Sequence, residues 1–411
     1  MSLLFKLAFR NIFRQRRRSV LTALSIGGGY LLCTLSFSLL EGSYNNLIEL
    51  FTLTRTGHVQ IHQGDYLDRP KLHSAISDYS SIGTRLDGNT SVRSYSYRIF
   101  APALAYSDKG NYPARVIGID LDREQQTTLI KDKITKGSYV QNEPDQDGYY
   151  SVMIGEGIAE SLKLGLGDEL ILISEGADGS VANDIFKVGA LIGSQDIGEK
   201  GNVYLPLGAA QEFLAMGGQV HEIVIVLDAY QQAERFARAL QQELQQQLPD
   251  LSVSPWQEVE ADFYKSMQSD KQGNQATLGI ILFIVFIGVL NTVLMSVLER
   301  TREFGVLKAL GTRPATILTL VTLETTLLAS MSVAVSVLVS LPIMYWFATV
   351  GFSLAEPIDV GGIAFSAFRG EVSVYVFGIP ILLLLGFAIL VSIPPGLRAA
   401  KIAPTRAMSS H

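Results

Sequence analysis

Four apolar runs in this chain are longer than any element a water-soluble core needs. Ser19–Leu40 holds 22 residues without a charge, and Gln275–Leu298 holds 24. Ala315–Val350 holds 36 with one acid, Glu324, and Val372–Pro395 again holds 24 without a charge. A helix rises about 1.5 Å per residue, so about 20 apolar residues cross the hydrocarbon of a bilayer. The runs predict four transmembrane helices. The third exceeds one crossing, and Pro342 is expected to kink or end it, leaving a further helical segment at the outer surface. Composition agrees with a membrane class, at 48% hydrophobic and 18% charged over 411 residues. The first run follows basic residues but is too long for the apolar part of a signal peptide. Its exit, "SLLEGSYNN", has no small-residue cleavage site, so it reads as an uncleaved anchor. The lone Cys33 sits in that run as a small apolar filler.

Lys and Arg set the expected orientation, because cytoplasmic flanks carry their excess. Residues 1–18 hold Lys6, Arg10, Arg14, Arg16, Arg17 and Arg18; the 299–314 link holds Arg300, Arg302, Lys308 and Arg313; the tail holds Arg398, Lys401 and Arg406. Under four spans all three segments fall on one side, with both termini cytoplasmic. Their 13 bases meet only Glu299 and Glu303, a balance of +11, which leaves −17 for the rest of a chain whose formal charge is −6. In residues 4–17, Leu4, Phe5, Ala8, Phe9 and Ile12 share one helical face, and Lys6, Arg10, Arg14 and Arg17 share the other. That pattern suits an amphipathic helix on anionic inner-leaflet lipid, and equally an ordinary basic flank.

Residues 43–273 read as one soluble insertion. Strand signals recur in "GHVQIHQ", "ARVIGID", "DELILIS", "IFKVGAL", "HEIVIVLD" and "LSVSPW", many separated by Gly or Asp/Asn turns. A short helix is expected over Gly157–Leu164, stopped by glycine. The stretch from His221 to Trp256 predicts strand, long helix, strand, with Val224, Val226, Phe236, Leu240 and Leu244 buried. Beyond Pro255, Trp256, Val259, Phe263 and Met267 recur at helical spacing, so the second span should extend outward as a stalk, and the first likewise through "EGSYNNLIELF". The fold class is therefore an α-helical membrane protein with four transmembrane helices plus a large extracytoplasmic α+β domain. Its divisions are 1–18 (amphipathic helix), 19–42 (first span), 43–273 (outer domain with stalk ends) and 274–298 (second span). After these come 299–314 (cytoplasmic link), 315–350 (third span), 351–371 (outer loop), 372–395 (fourth span) and 396–411 (cytoplasmic tail).

Motifs for chemistry are weak. No phosphate-cradling G-x-x-x-x-G-K-[ST] occurs, and "LAMGGQ" (Leu214–Gln219) reads as a turn. His58 and His62 lie in a strand pattern with no third metal ligand nearby. No catalytic, cofactor-binding or metal residues are assigned, an enzyme is not expected, and nothing points to nucleic acid. Glu324, inside a span, is a functional candidate by default. Its position near the cytoplasmic end favours a structural acid that reaches interfacial water or a polar neighbour.

The link "ERTREFGVLKALGTRP" is dense in charge and patterned as a helix. Glu299 and Arg302 can pair, Val306, Leu307 and Leu310 gather near Glu303, Gly311 stops the helix, and Pro314 can open the next. An apolar ridge beside charges suits a groove on a cytosolic protein better than a solvated loop.

The order of basic helix, span, large outer domain and three spans, with "LNTVLMSVLERTREFGVLKALGTRP" and "IPPGLRAAKIAPTRAM", resembles the permease subunits of MacB-type (type VII) ABC transporters. That group includes the LolC/LolE lipoprotein-releasing type and FtsX. The outer stretches "GHVQIHQGDYLDRP" and "IGEGIAESLKLGLGDELILI" carry the same likeness. The resemblance implies an outer domain with a porter-like part and a β-rich insertion. It also implies a bacterial inner-membrane location and a pair of permeases, homo- or heteromeric. A separate cytosolic ATPase dimer would hold the ATP and Mg. By position it makes the link a coupling helix through Glu299, Arg302, Glu303, Phe304, Gly305, Leu307, Lys308, Ala309, Leu310 and Gly311. Arg302, Glu303 and Lys308 would dock through polar contacts, Phe304, Leu307 and Leu310 would pack, and Gly305 would allow close approach. Lipoprotein or another hydrophobic cargo is then expected, with a periplasmic carrier or adaptor as a further partner. The alternative is an FtsX-like regulator that switches a cell-wall hydrolase.

Overall fold

The computed structural model describes residues 3–14, 16–193, 198–360 and 363–402, so Arg406 of the basic tail lies outside the described residues. The chain opens with α1 (Leu3–Arg14) and α2 (Arg16–Phe51), which ends in a π-helical turn, Thr52–Thr56. Then come β1 (Val59–Gln63), α3 (Tyr79–Asp87), β2 (Val92–Ser107), β3 (Gly110–Ile119), α4 (Leu121–Thr127), β4 (Ile134–Gly137) and β5 (Ser151–Gly155). They are followed by α5 (Glu156–Leu162), β6 (Glu169–Glu175), β7 (Val181–Ile192), β8 (Asn202–Pro206), α6 (Leu207–Phe213) and β9 (Glu222–Leu227). Next are α7 (Ala233–Leu244), β10 (Leu251–Pro255), α8 (Trp256–Val259) and α9 (Ala261–Glu299). The chain ends with α10 (Thr301–Ala309), α11 (Pro314–Thr349), the hairpin β11 (Phe352–Val360) and β12 (Ile363–Phe368), and α12 (Val374–Lys401).

Two compact units result. One gathers Met1–Asn46, Gln268–Ala355 and Ala367–His411; the other gathers Leu47–Met267 with Glu356–Ser366. In the helical unit, α2, α9, α11 and α12 are each long and apolar enough to cross a membrane. Their buried stripe includes Ile26, Tyr30, Val289, Val293, Ile317, Val321, Leu384 and Val391. Small residues let two backbones close in: a Cβ on Gly29 would stand 2.5 Å from Val285 Cγ2. Apolar side chains such as Leu24 and Ile284 stay exposed, as a lipid-facing surface requires.

The third run behaves differently from expectation. α11 runs unbroken through Pro342 to Thr349, and a hairpin rather than a further helical segment follows it. A proline removes one helical N–H, and long apolar helices absorb that loss when side chains serve the freed carbonyls. Here the freed carbonyl is that of Leu338, and the Ser340 hydroxyl donates beside it, to the Val337 carbonyl at 2.9 Å. The stalk extensions are present, since α2 and α9 hold 36 and 39 residues. The second begins at Ala261, not Trp256, because Glu260 leaves the helical region and separates off α8.

In the other unit, β10, β1, β9 and β2 form a sheet in that order. β9 and β10 both run antiparallel to β1, so α7 joins two strands that flank a third. Val224, Val226, Leu240 and Leu244 are buried there, and Phe236 is partly buried. β2, with 16 residues, continues into a second sheet system. Its far half pairs β3, β3 pairs β8, β8 pairs β5, β5 pairs β7, β7 pairs β6, and β6 returns to β2. The six strands close a ring, which removes the free edges of an open sheet. The ring is filled by alternate residues such as Val116, Val152, Ile154, Leu170, Leu172 and Phe186. The short helix expected over Gly157–Leu164 spans Glu156–Leu162, and Lys163 rather than a glycine takes the left-handed cap at φ 54°.

Candidate coupling site

α10 is positioned by two breaks in the helical ladder. Arg300 leaves the helical region between α9 and α10. At the other end Gly311 takes φ +90°, where its N–H reaches the Lys308 carbonyl (3.0 Å) and Thr312 N–H reaches that of Leu307 (3.1 Å). Arg313 is extended before Pro314, which opens α11 at its first turn. The sequence signals for this stop and restart are thus realised.

One side of α10 is locked into the bundle. Phe304 is 1% exposed and packs in the core, and Gly305 is buried beside it. Arg300, 9% exposed, donates through Nη1 to both Glu324 oxygens (2.7 and 3.0 Å) and through Nε to Glu303 (2.9 Å). Its guanidinium also lies over the Phe304 ring. Glu324 therefore finds a cation on the link and an amide on α1, since Asn11 Nδ2 donates to it at 3.4 Å. Arg14 of α1 bridges to Glu303 at 2.9 Å. Glu299 pairs with Arg18 at 3.1 Å rather than with Arg302, because α9 ends there and Arg302 turns away on the next helix. Lys308 Nζ donates to the carbonyls of Ala400 and Ile402, both at 2.9 Å, and so caps the end of α12.

The other side is open. Arg302, Val306, Ala309, Leu310 and Arg313 are exposed, Leu310 by 79%, at spacings that place them along one helical face and its exit. Gly311 is exposed and Leu307 half-buried. The link thus divides into an anchoring set (Arg300, Glu303, Phe304, Gly305, Lys308) and a presented set (Arg302, Val306, Ala309, Leu310, Arg313). Sequence reasoning missed Arg300 as the pivot of the first set and Arg313 as a member of the second. An acid inside a span was the available signal for Arg300, because such an acid demands a cation within reach.

On α1, Ala8 and Ile12 are buried and α11 packs against the helix, whereas Phe9 (45%) and Phe13 (50%) are exposed. Phe9 departs from the expected face because one residue rotates a helix by about 100°. Lys6, Arg10 and Arg17 are exposed, while Arg14 is engaged with Glu303.

A second buried charge group lies in the outer unit. Register sets His62, Glu222 and Arg98 opposite one another on β1, β9 and β2. His62 Nε2 is 3.1 Å from Glu222, and Arg98 bonds Glu222 (3.3 Å), Glu124 of α4 (2.7 Å) and the Arg55 carbonyl of the π-helical turn (2.6 Å). Burial opposes charge on Glu222, but the His62 bond and the Arg98 guanidinium outweigh it and hold the carboxyl below its ordinary range. Burial pushes the His58 imidazole down to about 4, and its Nδ1 accepts the Leu227 N–H, as an unprotonated ring nitrogen can.

Four helices long and apolar enough to cross a membrane, a charged link, and a large α+β unit between the first two of those helices are the architecture of a multi-pass membrane protein with one large domain outside the apolar bundle. The family model of the MacB-like periplasmic core domain matches residues 19–243, and that of the FtsX-like permease C-terminal matches 276–404. The chain belongs to this MacB-type, FtsX-related family of ABC transporter membrane subunits. Among solved structures, the periplasmic region of MacB from Actinobacillus actinomycetemcomitans is similar at 14% identity, covering 56% of this chain and 98% of that one, with a TM-score of 0.38. The extracellular domain of the ABC-type transporter YknZ from Gram-positive bacteria is similar at 13% identity, covering 48% and 98%, with a TM-score of 0.33. No curated protein matches the chain.

Proposed function

We propose that this chain is the mechanical subunit of an ABC transporter. A separate cytosolic ATPase dimer holds ATP and Mg, and its closure moves α10. α9 and α2 carry that motion to the periplasmic unit. Chemistry stays in the ATPase, and a second permease, identical or related, completes the pair. Both termini and α10 are cytoplasmic under this reading, because the basic segments collect there. Lipoprotein release is the first cargo reading, on architecture and length, with other hydrophobic cargo next; a periplasmic carrier or adaptor would receive it.

The observation that carries the proposal is the division of α10. A helix locked on one side to α1, α11 and α12, and bare on the other along Arg302, Val306, Leu310 and Arg313, is built to take a push from a docked protein and hand it to the bundle. The test is affinity purification from native membranes with Arg302→Glu plus Leu310→Glu, against wild type. An ATPase that accompanies wild type and is lost from the variant supports the reading. An ATPase retained by both refutes this docking face, and its absence from wild type refutes the coupling role.

A further inference from the structure

An open cleft of about 710 Å³ lies between α2 and α9 at the end of the bundle that bears α10. α2 lines it with Arg16, Arg17, Arg18 and Leu21, and α9 with Asn291, Thr292, Met295 and Glu299. Arg18 is bound to Glu299, while Arg16 and Arg17 are exposed, so three cations face one anion. Three consecutive helical residues span about 200° of azimuth, yet long arginine stems let all three border one cleft.

Polarity along the cleft is ordered. Asn291 is eight residues from Glu299, about 12 Å along the axis. Its side-chain amide is exposed and makes no hydrogen bond among the described residues. An amide left so on a membrane-long helix is costly in hydrocarbon and points to a polar group beside it. Leu21 (63%) on α2 and Met295 (54%) on α9 stand exposed between the cations and that amide, and exposed Leu24 (66%) on α2 and Ile287 (45%) and Ile284 (64%) on α9 follow. Cations at one end of the cleft, and apolar side chains running away from them with one amide among the first, match the two ends of a phospholipid: phosphate and acyl chains.

We propose that this cleft binds one anionic phospholipid. Arg16 and Arg17 hold the headgroup phosphate through charge-assisted hydrogen bonds. Asn291 donates to the glycerol–ester region, and the chains lie along Leu21, Leu24 and Ile287. A free phosphate would leave the amide and the apolar stripe without a role. The site stands on the cleft alone and does not depend on docking of an ATPase.

The test is native mass spectrometry of the full chain in mild detergent, titrated with phosphatidylglycerol or phosphatidylcholine. Wild type is expected to retain one phosphatidylglycerol. Arg16→Gln plus Arg17→Gln should weaken retention about thirtyfold, from two basic side chains. Asn291→Leu, which keeps every charge, should weaken it about fivefold, from one hydrogen bond. Arg398→Gln plus Lys401→Gln removes the same charge outside the cleft and should change retention less than about threefold. Four results would overturn the proposal. Equal losses in both charge variants would mean diffuse attraction only. Equal retention of phosphatidylcholine would mean an apolar groove only. Displacement by equimolar inorganic phosphate would mean a bare anion pocket. Unchanged retention in both cleft variants would also end it.

Discussion

The molecule uses one device twice, an arginine between two glutamates, and in opposite settings. In the outer unit Arg98 sits between Glu124 and Glu222, with all three under 9% exposed. At the charged end of the bundle Arg300 sits between Glu324 and Glu303, and Glu303 is 40% exposed. The first triad is held by a sheet whose register places Arg98 opposite Glu222, with Glu124 of α4 closing on the same guanidinium. The second is held by helices from separate parts of the chain, α1, α10 and α11. A sheet cannot shift one strand without breaking its ladder, whereas helices can pivot about a side-chain contact. The same ion pairing is therefore a fastening in one unit and a joint in the other.

The largest effect should come from the fastening. Arg98→Leu leaves two buried carboxylates without their cation, and should cost about 3–5 kcal/mol. Thermal unfolding of the full chain, followed by proteolysis of the outer unit, would show it. A loss below 1 kcal/mol would mean the triad is not closed to water.

Acid separates the units next. Each of the described histidines lies in the outer unit. His58 has an ordinary value of 6.5 and is pushed down to about 4 by burial, and burial also lowers His221. The folded state therefore prefers these rings neutral. Their contribution is intact above pH 6.5 and is lost as pH falls from 6.5 toward 4, by about 3 kcal/mol for His58. Hydrogen exchange at pH 7 and pH 5 should show loosening in β1 and β9 and none in α11 or α12. Equal loosening in both units would erase the contrast.

The joint should respond more gently. Arg300→Gln is expected to cost about 2 kcal/mol, because Glu303 is already half open to water. The reversed pair, Arg300→Glu with Glu324→Arg, should recover most of that loss, read by thermal denaturation in detergent. If the reversal recovers nothing, the pair acts through packing on Phe304 rather than through charge. The smallest effect is at Lys308. Lys308→Met should loosen only the last turn of α12, by about 1 kcal/mol, seen as faster amide exchange near Ala400.

Much of the architecture was legible in the chain itself. Uncharged runs of 22 and 24 residues admit few alternatives to membrane helices, because backbone groups in hydrocarbon must bond within their own segment. Gly311 and Pro314 delimited α10 because positive φ and a missing N–H are local properties. Strands such as β1, with alternating residues, and β9, an unbroken run of Ile and Val, were visible for the same reason. β2, β5 and β8 were not. Their pattern makes sense only once the ring of six strands closes and supplies neighbours distant in sequence.

The sequence by itself determined the membrane helices, the charged link and the presence of an outer α+β unit, since each follows from periodicity, length and local backbone chemistry. Tertiary structure alone decided which link residues face inward. Glu303 and Lys308 look like docking residues as letters, yet one is shared by Arg14 and Arg300 and the other caps α12. Partner choice for a charge depends on what folding brings within about 3 Å, and no local rule in the chain encodes that.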